Sequence, residues 1–256
     1  MAGIEIHRLH KRFCLQGKTL TALQDLSLSV ADESFVTIVG QSGCGKTTLL
    51  RLICALETLD AGTMVFTTCN PKRTRADTRV SIVFQEPRLM PWLTVKQNMA
   101  MALHAEKDPE RVDNLVGDCL HMLGLEAFAG AYPHQLSGGM AQRVALGRTL
   151  CYDPDVILMD EPFGALDAFT RRRLQAELIA IFLTRKKTIV FVTHDVDEAL
   201  ILGQRVLVLK SGRLALDVAV DLPYPKDIGS DAFYGLRRLL METVCSGPDD
   251  WQCRPN

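Results

Sequence analysis

Gly40-Gln41-Ser42-Gly43-Cys44-Gly45-Lys46-Thr47 sets glycines ahead of a lysine and a hydroxyl. The spacing fits G-x-x-x-x-G-K-[ST], a loop that cradles phosphate groups. Its glycines let the backbone wrap an anion without Cβ clashes. Exposed N–H groups and a helix start then face the negative charge. In such a loop Lys46 reaches the β- and γ-phosphates and the Thr47 hydroxyl binds Mg²⁺. A second group of reactive side chains comes later. The apolar run Val156-Ile157-Leu158-Met159 ends in Asp160-Glu161-Pro162. That pattern describes a central parallel strand delivering carboxylates to a site. Neighbouring strand side chains point to opposite faces, so the two acids divide the work. Asp160 suits a Mg²⁺ shell, and Glu161 suits the attacking water as general base or water orienter. Pro162 is expected to hold Glu161 extended and to end the strand.

The elements that must position these groups are readable. Phe35–Val39 is a buried strand, and a helix from Thr47 to Leu56 follows the phosphate loop. Val80–Phe84 reads as a strand ending before Gln85, and Thr188–Thr193 as one ending before His194. Leu136-Ser137-Gly138-Gly139 precedes a helix from Met140 to Leu150, a second anion-binding helix start. Residues 4–30 alternate in β fashion (Leu26, Leu28, Val30) and suggest an antiparallel sheet. Residues 31–87 and 151–220 alternate strand and helix, a parallel α/β core. Residues 88–150 are mostly helical, with Met99, Met101, Leu103, Leu115, Cys119 and Met122 as core positions. Residues 221–256 hold a proline-containing turn, an amphipathic helix near Ala232–Val244 and a polar tail. The whole reads as one α/β domain.

Composition narrows the class. The chain has 256 residues and a formal net charge of −1, so nothing favours nucleic acid. Arg171-Arg172-Arg173 and Arg185-Lys186-Lys187 read as solvated helix faces. No apolar run approaches the roughly 18 residues of a membrane span. Met1–Leu9 is too polar for a signal peptide, so a cytoplasmic chain is expected. The eight cysteines contain no C-x-x-C pair and read as reduced thiols. Cys44 is the exception, since Lys46 and a helix start are expected to lower its pKa. Alkylation there is expected to block nucleotide binding.

Leu136-Ser137-Gly138-Gly139-Met140 lies between the phosphate loop and the acidic strand end, and this order resembles the ATPase subunit of ABC transporters. The resemblance implies a phosphate-loop NTPase with a parallel-sheet core, an N-terminal antiparallel β-subdomain and a helical subdomain carrying Ser137. Its implied ligands are ATP and Mg²⁺, with Thr47, Gln85 and Asp160 at the metal. Gln85 falls at the Q-loop position and His194 at the switch histidine that touches the γ-phosphate. Ala165-Leu166-Asp167 resembles the D-loop, Thr48 extends the phosphate loop, and Phe13 falls where an aromatic ring stacks on adenine. Each has a plainer reading: Gln85 as a strand-end cap, His194 as a solvated side chain, Phe13 as core. In the family two ATP molecules are sandwiched in a head-to-tail homodimer, so Ser137, Gly138 and Gly139 act on the partner's nucleotide. The same reading makes Lys46, Gln85, Glu161 and His194 the catalytic set.

The segment Gln85-Glu86-Pro87-Arg88-Leu89-Met90-Pro91-Trp92-Leu93-Thr94-Val95 and Asn98 narrows the branch. With Asp160–Arg171 and Thr193–Ala199 it resembles importers of nitrate, sulfonate, taurine and bicarbonate, over residues 4 to about 220. That resemblance implies transmembrane permease subunits as partners and, indirectly, a periplasmic or extracellular solute-binding protein. It places the chain peripherally at the cytoplasmic face of the inner membrane. Trp92 is expected to be an exposed anchor for a coupling helix, the alternative being internal packing. Leu214–Pro223 looks most like aliphatic sulfonate ATPases, with nitrate, taurine and thiamine-precursor uptake left open. A soluble non-transport ABC ATPase and a regulatory module without turnover are the competing classes. Two departures from the family, Ile53-Cys54-Ala55-Leu56 and Gly147-Arg148-Thr149, read as packing changes on helices.

Overall fold

The computed structural model describes residues 2–15, 18–68, 78–164 and 166–246. The long strands β1 (Ala2–Leu15) and β2 (Lys18–Val30) form a hairpin. Its other partner is β4 (Ala61–Thr68), giving an antiparallel sheet of order β2-β1-β4. Residues 31–87 had pointed to the parallel core, and β4 departs from that expectation. The register shows why: Ile4 lies between Val30 and Phe66, and Ile6 between Leu28 and Met64. Cross-strand apolar neighbours of this kind stabilise the sheet and bury its inner face.

The second sheet has the order β5-β6-β7-β3-β8-β9. Its strands are β3 (Phe35–Val39), β5 (Val80–Val83), β6 (Val156–Asp160), β7 (Thr188–Thr193), β8 (Arg205–Lys210) and β9 (Arg213–Ala219). The first five positions pair in parallel, as expected. The edge strand β9 instead runs antiparallel to β8. Lys210 pairs with Arg213, so the turn is Ser211-Gly212, with φ of 46° and 75°. Two positive φ angles make the short turn that matches strand twist. β3, β6 and β7 are buried at every position, as continuous apolar runs in a covered parallel sheet should be.

Helix α1 (Lys46–Ile53) is shorter than its expected span. Cys54 caps it and Ala55 turns at φ 59°, so Ile53–Leu56 is a helix exit, not a helical packing change. The helical region contains α2 (Val95–Ala100), α3 (Pro109–Met122) and α4 (Gly138–Tyr152). Thr94 and Gln97 close α2 with a capping box. Val116, Cys119 and Leu120 bury their side chains here, whereas Met101 and Met122 are exposed. Gly147 has a packing reason: a Cβ there would meet Met99 Cε at 2.5 Å.

Helices α5 (Ala168–Arg185), α6 (Val196–Leu202) and α7 (Asp231–Cys245) complete the fold. Tyr224 donates its hydroxyl to Leu202 O, and Lys226 Nζ donates to Leu200 O at 2.8 Å. These contacts satisfy carbonyls that a helix end leaves open. At its far end α7 offers Val244 O to Gln41 Nε2 at 3.2 Å, touching the phosphate loop. Cys14, Cys44, Cys54, Cys119 and Cys151 are free thiols. Cys245 is disulfide-bonded, against the expectation of reduced thiols throughout; Cys69 and Cys253 lie outside the described residues. Among the described residues no helix is long and apolar enough to cross a membrane.

Candidate active site

The C-terminal ends of four parallel strands meet in one place. β3 runs into the Gly40–Thr47 loop, β5 toward Gln85, β6 into Asp160-Glu161 and β7 into His194. Ligands of open α/β sheets bind outside such strand ends. A cavity of about 460 Å³ opens there, lined by Ser42, Gly43, Gly45, Lys46, Thr47, Thr48, Gln85, Asp160 and Glu161. Its far wall is the β1–β2 hairpin, with Phe13, Leu20, Thr21 and Ala22. Phe13 pairs with Leu20 across the hairpin, and Lys11 Nζ stands 5.0 Å from its ring centroid.

The loop conformation depends on Gly43 (φ 80°) and Gly45 (φ 105°). A Cβ on Gly45 would also meet Ala22 O at 2.6 Å, so that position admits only glycine. Lys46 is buried and donates to Gly40 O at 2.7 Å and to Gln41 O at 3.0 Å, bracing the loop from within. Its Nζ lies 3.7 Å from Glu161 Oε1. Gly40, Gln41 and Cys44 do not line the cavity with the others. Cys44 turns its thiol into the core under the loop, where Gly40 leaves room for it. Burial pushes the thiol pKa up, more than Lys46 pulls it down. The expected lowering of the Cys44 thiol pKa is therefore not what the fold gives.

Thr47 Oγ1 donates to Asp160 Oδ1 at 3.0 Å. Burial raises the Asp160 carboxyl above the usual carboxylate range, the Thr47 hydrogen bond opposing it. Hard oxygen donors from Thr47, Asp160 and Gln85 around one cavity fit Mg²⁺, which keeps several waters and takes few protein ligands. Among the described residues no cluster of three or more His, Cys, Asp or Glu could hold a metal. A single carboxylate with neutral oxygens is a different kind of site from those clusters.

Glu161 does not adopt the extended backbone that Pro162 had suggested. Its φ is 44°, while its N–H still donates to Val192 O at 3.0 Å. The chain leaves the strand through a left-handed turn, and Gly164 N closes it on Glu161 O at 3.2 Å. A non-glycine residue in this region costs of order 1–2 kcal/mol, and such strain gathers at functional sites. The turn brings Glu161 Oε2 within 2.7 Å of His194 Nδ1. His194 is well exposed, and it does not itself line that cavity.

The remaining expected residues stand apart from this cavity. Ser137 caps α4 by accepting from Met140 N at 3.3 Å, and Gly138 follows it in the first turn. Gly139 is buried, and a Cβ there would meet Thr170 Cγ2 at 2.5 Å, so α4 and α5 start side by side. Asp167 caps α5 through Phe169 N and Thr170 N, both at 3.0 Å. Ala165 lies outside the described residues.

Sequence reasoning missed the residues that hold the Gln85 loop. Gln142 Nε2 donates to Phe84 O at 3.3 Å, and Arg148 donates to Pro87 O at 3.2 Å and Arg88 O at 3.1 Å. Both sit on α4, so one helix carries Ser137 at its start and anchors the Gln85 loop along its length. The available signal was long polar side chains inside a helix otherwise buried on every face.

The family profile for ABC transporters matches residues 23–164. An uncharacterized ABC transporter ATP-binding protein of Methanocaldococcus jannaschii is 44% identical over 94% of this chain and 91% of its own. The aliphatic sulfonates import ATP-binding protein SsuB of Bacillus subtilis is 40% identical, covering 93% of each chain. A dimeric bacterial ABC transporter cassette superposes with a TM-score of 0.75 at 30% identity, over 85% of this chain and 98% of that one. A related structure, a dimeric post-hydrolysis state bound to ADP and phosphate, gives a TM-score of 0.74 at 30% identity, over the same shares of the two chains. On its site geometry and these likenesses, the chain belongs to the ABC transporter ATP-binding family, and the reaction it runs is ATP hydrolysis.

Proposed function

We propose that this protein is the ATP-hydrolysing subunit that energises import of a small solute, an aliphatic sulfonate, through a membrane permease. The observation that carries the hydrolytic part is the convergence of Lys46, Thr47, Asp160 and Glu161 at one cavity, with His194 joined to Glu161. The sulfonate part rests on the relatives named for that import, such as those at 40% and 42% identity.

The phosphate loop and Lys46 bind and orient the triphosphate, and Phe13 stacks on the base. Thr47, Gln85 and Asp160 would hold Mg²⁺, which neutralises phosphate charge when bound. Glu161 orients the attacking water and accepts its proton, with His194 steadying the carboxylate through Nδ1. Ser137, Gly138 and Gly139 lie outside their own cavity. A head-to-tail homodimer gives them a role by placing α4's helix start over the partner's γ-phosphate. Asp167 at the start of α5 falls in the same interface. The dimeric neighbour supports this assembly. The solute-binding protein on the outer side and a place at the inner face of the membrane complete the proposal.

Growth on single nutrients tests the substrate. A strain deleted for this gene should fail on an alkanesulfonate as sole sulfur source and grow normally on sulfate. Failure on nitrate or on a thiamine precursor, with normal sulfonate growth, would replace sulfonate by that solute.

Trp92 gives a test of the permease contact. It is 69% exposed, in keeping with a surface anchor and not with internal packing. Aromatic anchors dominate interface energetics. Trp92→Ala should leave basal ATPase activity within twofold and cut solute uptake by roughly tenfold, the cost of losing a hot-spot side chain. Uptake at the wild-type rate would place the permease elsewhere.

A further inference from the structure

One buried carboxyl group anchors Thr193, whose hydroxyl in turn holds the residue after His194. Glu198 on α6 is 5% exposed. Its Oε2 accepts from Thr193 Oγ1 at 2.6 Å, and its Oε1 accepts from Gln175 Nε2 on α5 at 3.0 Å. Thr193 Oγ1 in turn accepts from Asp195 N at 3.0 Å. Asp195 then caps α6, taking Asp197 N at 2.9 Å and Glu198 N at 3.1 Å. Thr193 ends β7 and Asp195 begins α6, so His194 is the single residue between two fixed points. Without this ring of bonds the turn would keep its backbone links, the Arg171–Asp195 ion pair and the His194–Glu161 contact. A buried carboxylate is costly unless it is hydrogen-bonded, and here two donors serve it.

We infer that Glu198, with Gln175 as its partner, is a positioning residue that fixes the turn aiming His194 at Glu161. The inference rests on the reading of His194 as a residue of the reaction. Glu198 touches no reacting atom and acts through the Thr193–Asp195 turn. Other charged groups face it. Arg171 on α5 lies 3.7 Å from Asp195 Oδ2 and donates to Leu166 O at 3.1 Å. Glu161 and His194 share with Thr193, Asp195, Arg171 and Glu198 a small cavity of about 20 Å³. Burial raises the Glu198 carboxyl above its ordinary range, in keeping with a group placed for its hydrogen bonds.

Hydrogen-bond chemistry sets the test, because the two side chains can trade roles. Glu198→Gln keeps the ring if Gln175 turns its amide and accepts. Gln175→Glu sets two acceptors face to face, which only a shared proton can join. The double variant Gln175→Glu/Glu198→Gln restores one donor and one acceptor. ATPase kcat and KM would be measured for the full chain at pH 6 to 8, beside thermal melts and His194→Ala as reference. Glu198→Ala should lower kcat about tenfold or more with KM within twofold. Gln175→Glu should be similarly slow at pH 8 and recover as pH falls. Glu198→Gln and the double variant should run near the wild-type rate.

Wild-type kcat in Glu198→Ala, or a double variant as slow as Gln175→Glu, would overturn the inference while an inactive His194→Ala keeps the histidine reading. Loss of rate matched by equal loss of folded protein would also overturn it. Full activity in His194→Ala would remove the histidine reading and this inference with it.

Discussion

Glu161→Gln should lower the ATPase kcat by about a thousandfold while ATP binds at least as tightly as before. The side chain is held by geometry that glutamine preserves. Glu161 Oε2 lies 2.7 Å from His194 Nδ1, and the backbone N–H is fixed on Val192 O at 3.0 Å. Glutamine can still accept from the histidine, but it cannot take a proton from water. On the proposed reading the phosphates bind elsewhere, to loop N–H groups and Lys46. Binding should even gain, because the lost charge sits 3.7 Å from Lys46 Nζ and competes there with phosphate. With hydrolysis blocked and binding kept, the ATP-bound dimer should accumulate. Single-turnover hydrolysis, equilibrium ATP binding and light scattering would read the three effects. A kcat within threefold of wild type would move the general base to another residue.

Much of this site was legible because its parts are local in sequence. The Gly40–Thr47 loop states its conformation through glycine positions, and the acidic pair ends a run too apolar to be anything but a central strand. The strand Thr188–Thr193 was read to the residue for the same reason. What escaped depends on partners far along the chain. β4 reads like any other half-buried strand, and only pairing with β1 decides which sheet takes it. The edge strand β9 runs antiparallel because Ser211-Gly212 closes a hairpin, a turn signal weaker than the α/β rhythm around it.

The misread residues share a cause. Cys44 was judged by its neighbours in sequence, which argue for a lowered thiol pKa. Its burial, which argues the other way and dominates, comes from the core beneath the loop. Glu161 was judged by Pro162, yet its left-handed turn is imposed by Val192 and Gly164. Gln142 and Arg148 carry no motif that local reasoning could weigh, and Glu198 lies in the Thr193–Ala199 stretch with no role that spacing alone assigns. Each acts on a loop that some other element supplies, so only the assembled fold shows the work they do.

Asp160→Asn should abolish Mg²⁺-dependent hydrolysis and, at the same time, make the nucleotide-free protein more stable at neutral pH. The carboxyl is buried, and desolvation raises its pKa above the value it has in the unfolded chain. The folded state therefore holds the proton more tightly than the unfolded state does. By linkage, the group's contribution to stability is greatest below the unfolded pKa and falls as pH rises through the folded one. Above the folded pKa the ionised carboxylate is a cost that the free protein bears. Asparagine removes that cost and can still accept from Thr47 Oγ1, which now lies 3.0 Å from Asp160 Oδ1. Thermal melts without nucleotide should show Asp160→Asn melting a few degrees higher at pH 8, with the gap closing toward pH 4. The rate with Mg²⁺ and ATP should fall by at least about a hundredfold, since charge stabilisation at the phosphates is lost. Lower stability of the variant at pH 8 would show that burial does not govern this carboxyl. On the proposed reading, Mg²⁺ bound by Asp160 beside the Thr47 hydroxyl would offset that cost.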